Sequence, residues 1–190
     1  ESGWYISVPI GSLVVTSNGT LISFHEGRKY FRQDDNNRVD VVIRRSFDQG
    51  LTWAPFQLVH TESNATHVVT IGNPSPVLDV MTGRLWMLMT RNNTYLLVTY
   101  TDNHGATWAP VQDITQQSKP KSYGWIATAF SGTQLASGRL AVCADHIVGQ
   151  WEAYPINHSI SSIIYSDDHG ATWQFQPVGS PDGALMNECA

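Results

Sequence analysis

The sequence predicts an all-β protein, a β-propeller represented by about three four-stranded blades, on three observations. Charged residues make up only 14% of the 190 positions, whereas glycine (15 residues) and aromatic side chains (11%) are plentiful, the composition of strands and tight turns. An eight-residue segment occurs three times, and a second, shorter turn recurs upstream of each copy. Two hairpins per unit at a repeat of about 60 residues is the size of a propeller blade. An ordinary β-sandwich is the alternative, but its turns share no sequence.

The upstream turn comes first in each unit: Asn18-Gly19-Thr20-Leu21, Thr82-Gly83-Arg84-Leu85 and Ser137-Gly138-Arg139-Leu140. It predicts hairpins between strands at 13–15 and 21–24, at 77–80 and 85–89, and between a shorter strand and 140–143. The longer repeat follows, as Ser46-Phe47-Asp48-Gln49-Gly50-Leu51-Thr52-Trp53, Thr101-Asp102-Asn103-His104-Gly105-Ala106-Thr107-Trp108 and Ser166-Asp167-Asp168-His169-Gly170-Ala171-Thr172-Trp173. Each copy is preceded by a β-branched or aliphatic run, at 41–43, 96–98 and 163–164. The Asp or Asn at its third position can accept backbone N–H groups of the turn, and the Gly at its fifth takes positive φ. The closing Trp is expected to pack across its own hairpin and set the register of the returning strand. The blades then fall over roughly residues 8–60, 70–115 and 125–180, in one partial propeller domain covering 1–190.

Composition also excludes several functions. The longest unbroken apolar runs, 85–89 and 140–144, are five residues each, against the ~20 of a spanning helix. A formal charge of −5 without a Lys/Arg cluster leaves no electrostatic footprint for nucleic acid. The seven His show no HExxH or other paired ligand spacing, and Asp34-Asp35-Asn36-Asn37 with Asp40 lacks the Gly and Glu of a calcium loop, so neither metal nor cofactor is expected. Cys143 and Cys189 are too few for a disulfide scaffold and read as buried free thiols, with a single disulfide as the alternative. The chain opens on Glu1 without a leader, so localisation rests on four Asn-x-Ser/Thr acceptors, at Asn18, Asn64, Asn92 and Asn157, which point to the secretory route, extracellular or lysosomal.

The repeated turn resembles the Asp box of sialidases (neuraminidases), six-bladed propellers that remove terminal sialic acid from glycoconjugates. The box also occurs in non-enzymatic propellers, so other segments have to carry the resemblance. Phe24-His25-Glu26-Gly27-Arg28 is similar to the family's Glu-Gly-Arg segment, and Val41-Val42-Ile43-Arg44-Arg45-Ser46 to the strand entering its first Asp box. Gly72-Asn73-Pro74-Ser75-Pro76-Val77-Leu78-Asp79 with Thr82-Gly83-Arg84-Leu85-Trp86 resembles its second blade, and Asn187-Glu188-Cys189 its Asn-Glu-Cys motif. The resemblance runs from about Leu13 to the last residue.

What the resemblance implies about chemistry follows residue by residue. Asp35, in the polar loop 33–37, matches the general acid/base, with Asp34 as the fallback and a solvated loop acid as the plain alternative. Glu188 matches the glutamate that takes the proton of a Tyr nucleophile; a frayed terminal acid is the alternative. Arg28 matches an arginine that contacts the sugar away from its anomeric centre, near the 4-hydroxyl, or else forms a strand-end salt bridge with Glu26 or a nearby acid. Asn73 matches a position near the sugar's N-acyl and 4-hydroxyl groups, or else only starts the turn before Pro74. Asp145 and His146 fall where the family often lines a glycerol pocket; a loop pair is the alternative.

Two departures matter. Where the family has Arg-Ile-Pro, the first of three arginines that hold the substrate carboxylate, this sequence reads Val8-Pro9-Ile10, and no arginine precedes Arg28. Residues 127–135 also lack the family's Gly-Pro-Gly stretch. The expectation is therefore an exo-α-sialidase acting on a sialylated glycoprotein, oligosaccharide or ganglioside, incomplete in this chain. A non-catalytic sialoglycan-binding or structural Asp-box propeller is the rival. The 190-residue chain alone is expected to be inactive, and its open blade edges to self-associate.

Overall fold

The computed structural model describes residues 5–9, 11–30, 38–64, 66–148 and 159–178. These form twelve strands and one short helix. The first sheet is β1 (Ser12–Val15), β2 (Leu21–Arg28), β3 (Val39–Ser46) and β4 (Gln57–His60), and the second is β5 (Ile71–Leu78), β6 (Leu85–Arg91), β7 (Tyr95–Thr101) and β8 (Gln112–Asp113). Helix α1 (Thr115–Ser118) leads to the third, β9 (Tyr123–Gln134), β10 (Leu140–Val148), β11 (Ser159–Ser166) and β12 (Gln174–Pro177). Each sheet is an antiparallel meander in chain order, so the fold is an all-β propeller arc of three blades.

The first strands of the three sheets meet. Ser131 Oγ of β9 donates to Leu13 O of β1 at 3.2 Å, and Ser12 Oγ of β1 donates to Pro74 O of β5, also at 3.2 Å. Strand β5 starts six residues earlier than the apolar pattern suggested, running through Pro74 and Pro76. As the edge strand of its sheet it tolerates two missing N–H donors, and a register shift between Gly72 and Ser75 absorbs them.

Two apolar layers join the sheets. Ile22, Phe24, Val41 and Ile43 pack against Ile71, Leu85, Met87 and Met89. Trp86, Leu88, Leu96 and Val98 pack against Ile126, Leu140, Val142 and Ile164. Alternate residues of β6 thus point into both layers, which is why 85–89 reads as an unbroken apolar run.

The three repeated turns share one hydrogen-bond scheme. Gly50 N donates to Ser46 Oγ at 2.8 Å and Thr52 N to Asp48 Oδ1 at 2.9 Å. The scheme recurs with Thr101, Asn103, Gly105 and Thr107, and with Ser166, Asp168, Gly170 and Thr172. The Gly takes positive φ in each, and so does the residue before it, Gln49, His104 or His169. In the second and third blades the Trp also reaches beyond its own sheet. Trp108 meets Phe24 of the first sheet edge-on at 6.0 Å, and Trp173 meets Trp86 of the second at 5.9 Å. These two turns are wedged against the preceding blade, where each ring has an aromatic partner, while Trp173 also shares an apolar layer with Ile164 of its own hairpin. The fit is close at Gly170, where a Cβ would lie 2.2 Å from the Trp86 ring.

Cys143 is disulfide-bonded, which corrects the free-thiol expectation. Its place on β10, where it alternates with core-facing Val142 and Ala144, turns it to the sheet face away from the second blade. No helix among the described residues is long and apolar enough to cross a membrane.

Candidate functional site

Strand alternation brings three pieces of chain to the end of the blades opposite the repeated turns. They are the end of β2 with Glu26, Gly27 and Arg28, the start of β5 with Gly72 and Asn73, and the β6–β7 turn with Asn92 and Asn93. Glu26 follows Ile22 and Phe24 on the buried face of β2 and is fully buried. A carboxylate in that place needs partners. Arg28 supplies two donors to Glu26 Oε2, Nε at 3.0 Å and Nη2 at 2.6 Å, and is itself buried. Across the sheet boundary, Asn73 N donates to Glu26 Oε1 at 2.8 Å. Gly72 makes that reach possible, because a Cβ there would stand 2.6 Å from the same carboxylate oxygen.

Asn73 is held from every side. Its backbone is left-handed (φ 55°), a conformation that Asn tolerates better than most residues. Its carbonyl accepts Thr128 Oγ1 of β9 at 2.7 Å, so all three sheets bond to this one residue. Its Nδ2 donates to Thr90 Oγ1 at 3.0 Å and to Asn93 Oδ1 at 2.9 Å.

A second polar cluster lies beside it on the first blade. Residues 5–9 run antiparallel to the end of β2, with Arg28 N donating to Ser7 O at 3.0 Å and Ile6 N to Arg28 O at 2.9 Å. Buried Asp40 accepts Tyr5 OH at 3.1 Å and Thr61 Oγ1 at 2.6 Å, and pairs with Lys29 Nζ at 3.0 Å. Burial first, then the Asp40 charge, pushes the Tyr5 hydroxyl pKa well above the ordinary phenol value. The cluster ties together the residues on either side of 31–37.

Asp145 and His146 occupy successive positions of β10 and face opposite sides of the sheet. Asp145 is buried and accepts Ser161 Oγ at 3.2 Å. His146 is fully buried between the second and third blades, its ring 5.5 Å from Tyr123 and 4.9 Å from Phe175. Burial, with a smaller push from Lys119, drives its pKa down to about 3, so the imidazole is neutral. It presents no nitrogen to solvent.

The structure thus brings Arg28 and Asn73 together through Glu26, and sets Asp145 and His146 apart on a third strand. Asp35 with its fallback Asp34, and Glu188, lie outside the described residues. Among the described residues no group of three His, Cys, Asp or Glu is arranged to hold a metal ion. Sequence reasoning passed over three residues of the site, Glu26 as a link between blades, Asp40 and Asn93. The signal for two of them was present: Glu26 continues an alternating core face, and Asp40 interrupts the apolar run Val39 to Ile43.

Comparison with known proteins adds three findings. The model of the BNR repeat-like domain family matches residues 5–189. Among curated proteins, a sialidase of Paraclostridium sordellii is 26% identical over 191 residues, covering 89% of this chain and 45% of the relative. Sialidase-3 of Rattus norvegicus is 29% identical over 201 residues, covering 93% of this chain and 47% of the relative. The chain therefore spans about half the length of these curated relatives. Among solved structures, the Hadza microbial sialidase Hz136 superimposes with a TM-score of 0.82 at 23% identity, covering 93% of this chain and 38% of that one.

Proposed function

The chain belongs to the BNR repeat-like domain family as part of a sialidase-type propeller, and from that premise we propose that it carries part of a glycosidase site releasing terminal sialic acid from glycoconjugates. The observation that carries this reading is the buried Glu26–Arg28–Asn73 network, which joins the three blades at one end of the arc. Arg28 and Asn73 bring a guanidinium and an amide to one place, the chemistry suited to an anionic, hydroxyl-rich sugar. Asp145 contributes from the third blade, and buried His146 shapes the strand that bears it without touching the sugar.

In this reading Asp35 protonates the leaving oxygen, and Glu188 takes the proton from a tyrosine nucleophile lying outside this chain. The Tyr5–Asp40–Lys29 cluster joins residues that precede and follow Asp35 in the chain. A neutral nucleophile suits a substrate whose anomeric carbon already bears a carboxylate. Exposed Asn18, Asn64 and Asn92 and the Cys143 disulfide support a secretory location.

The test uses the full-length protein that carries this chain. Asp35→Asn should lower turnover of a sialyl disaccharide by ~10²–10⁴, and that of 4-methylumbelliferyl sialoside much less, because an activated phenol needs no general acid. Equal losses on both substrates would remove Asp35 from the role. One observation favours a second reading, a sialoglycan-binding propeller without turnover: the segment alongside Arg28, residues 5–9, contains no arginine. Sialoside binding without hydrolysis would decide for it.

A further inference from the structure

The acceptor asparagines Asn18, Asn64 and Asn92 share one side-chain geometry. Asn18 Oδ1 accepts Thr20 N at 3.0 Å and Thr16 Oγ1 at 2.8 Å. Asn64 Oδ1 accepts Thr66 N and His67 N, both at 3.0 Å, and Asn92 Oδ1 accepts Thr70 N at 2.9 Å. A backbone N–H only donates, so in each case the carboxamide oxygen is turned to the chain and the nitrogen away from it. Reversing any one of these amides would set N–H against N–H. All three residues are exposed, and none of the three nitrogens is buried or bonded among the described residues. Asn73-Pro74-Ser75 supplies the contrast: it has the same spacing, but its proline bars it as an acceptor, and its half-buried side chain is engaged by Thr90 and Asn93. At the three acceptors the nitrogen is left in water, where an attached glycan disturbs no contact. Asn157 lies outside the described residues.

The three are divided between the ends of the arc. Asn18 lies in the β1–β2 turn, at the end that carries the repeated turns. Asn92 lies in the β6–β7 turn and Asn64 in the connection from β4 to β5, both at the opposite end, with the candidate site. Segment 61–70 ties these two to it: Thr61 Oγ1 donates to buried Asp40 at 2.6 Å, and Asn92 N donates to Thr70 O at 2.8 Å. Asn92 also precedes Asn93, which bonds to Asn73. We propose that Asn18, Asn64 and Asn92 are N-glycosylated, and that the bulky, solvated glycans on Asn64 and Asn92 stand at the rim of the site, holding back sialylated proteins while passing small sialosides. In the transfer, the amide nitrogen attacks the anomeric carbon of a polyprenyl-diphosphate-linked oligosaccharide. A new C–N bond replaces the C–O bond to the diphosphate, which leaves with the electron pair, and the nitrogen gives up one proton. The effect on substrates rests on the sialidase reading; the modification rests only on passage through the secretory route.

The test expresses the full-length protein through the secretory pathway of a eukaryotic host. Peptide N-glycanase in heavy-oxygen water then marks each occupied Asn as a labelled Asp for peptide mass mapping. Asn18, Asn64 and Asn92 should be marked and Asn73 unmarked. Unmarked Asn64 and Asn92 would overturn the inference. Thr66→Ala and Thr94→Ala destroy the two tripeptides at the site end and leave their asparagines in place, whereas Thr94→Ser keeps its tripeptide. Loss of both glycans should raise kcat/KM for a sialylated glycoprotein severalfold relative to that for 4-methylumbelliferyl sialoside. Thr94→Ser should leave this ratio at the parent value, and so should Asn18→Asp, which keeps the oxygen that Thr20 N needs and removes the far glycan. A ratio unmoved by losing both glycans, or moved as much by Asn18→Asp, would overturn the role at the rim. Marked asparagines in a protein that neither binds nor hydrolyses either sialoside would uphold the modification and sink the sialidase reading alone.

Discussion

A His146→Gln substitution should flatten the acid limb of the stability profile, and the size of the effect follows from how the imidazole is buried. Ser162 Oγ donates to Ala144 O at 2.9 Å, which leaves that hydroxyl oxygen to accept from His146 Nδ1. Nε2 is then the bare nitrogen, buried between Tyr123 and Phe175 with no partner among the described residues. Protonating it would create an N–H with nothing to receive it, in surroundings that already hold the pKa down to about 3. Unfolded, the same ring titrates near 6.5. Between these values the unfolded chain binds a proton that the folded chain refuses. The contribution is therefore fully present above pH 6.5 and is lost as the pH falls towards 3. The slope is about 1.4 kcal/mol per pH unit. At pH 4.5 the loss reaches about 3 kcal/mol, a large part of a typical stability of about 5–15 kcal/mol. Burial also pushes His25 down, so it acts in the same window. Burial pushes Asp79 up, but hydrogen bonds led by Thr82 and Gln134 outweigh it and draw the pKa down to about 2, so its loss comes at lower pH. Both proteins share these groups, and their difference isolates His146. Urea denaturation from pH 7.5 to 4.5 should give a steep decline for the histidine protein and a shallower one for the Gln variant. Parallel curves would refute the argument.

Three further outcomes follow from the contacts between blades. Gly170→Ala should cost at least about 2–3 kcal/mol, through overpacking against the Trp86 ring added to left-handed strain, whereas Gly19→Ala, with φ 86° but nothing within 4 Å of its Cβ, should cost only about 1 kcal/mol; equal melting shifts would contradict the wedge. Trp108→Ala should lose about 3–5 kcal/mol with the Phe24 contact, measured by chemical denaturation, and leave the substrate KM of the folded protein unchanged. Glu26→Gln removes the charge that pairs with Arg28 but keeps an oxygen for Asn73 N, so it should destabilise the fold by about 3–5 kcal/mol and raise KM for a sialoside; a neutral effect on both would remove Glu26 from the site.

The turns were legible in the sequence because their chemistry is local. Ser46, Asp48, Gly50 and Thr52 bond within seven residues of chain, and the same types recur in the other two copies, so each turn declares itself. The alternation in β2 and the unbroken run in β6 likewise announced one buried face and two. Arg28 and Asn73 were found through resemblance, and only the packed sheets showed that a single carboxylate joins them. Glu26 and Asn73 stand 47 positions apart and meet because two sheets stack with β2 beside β5, a distance no local period encodes. The same stacking decided where Trp108 and Trp173 point, which glycines are obligatory for space as well as for φ, and that the imidazole at 146 is neutral. Sequence by itself determined the blade, its turns and the residue types at the site. Tertiary packing decided the partners across blades, because desolvation, ion pairing and close approach are set by surfaces that come together only when the sheets do.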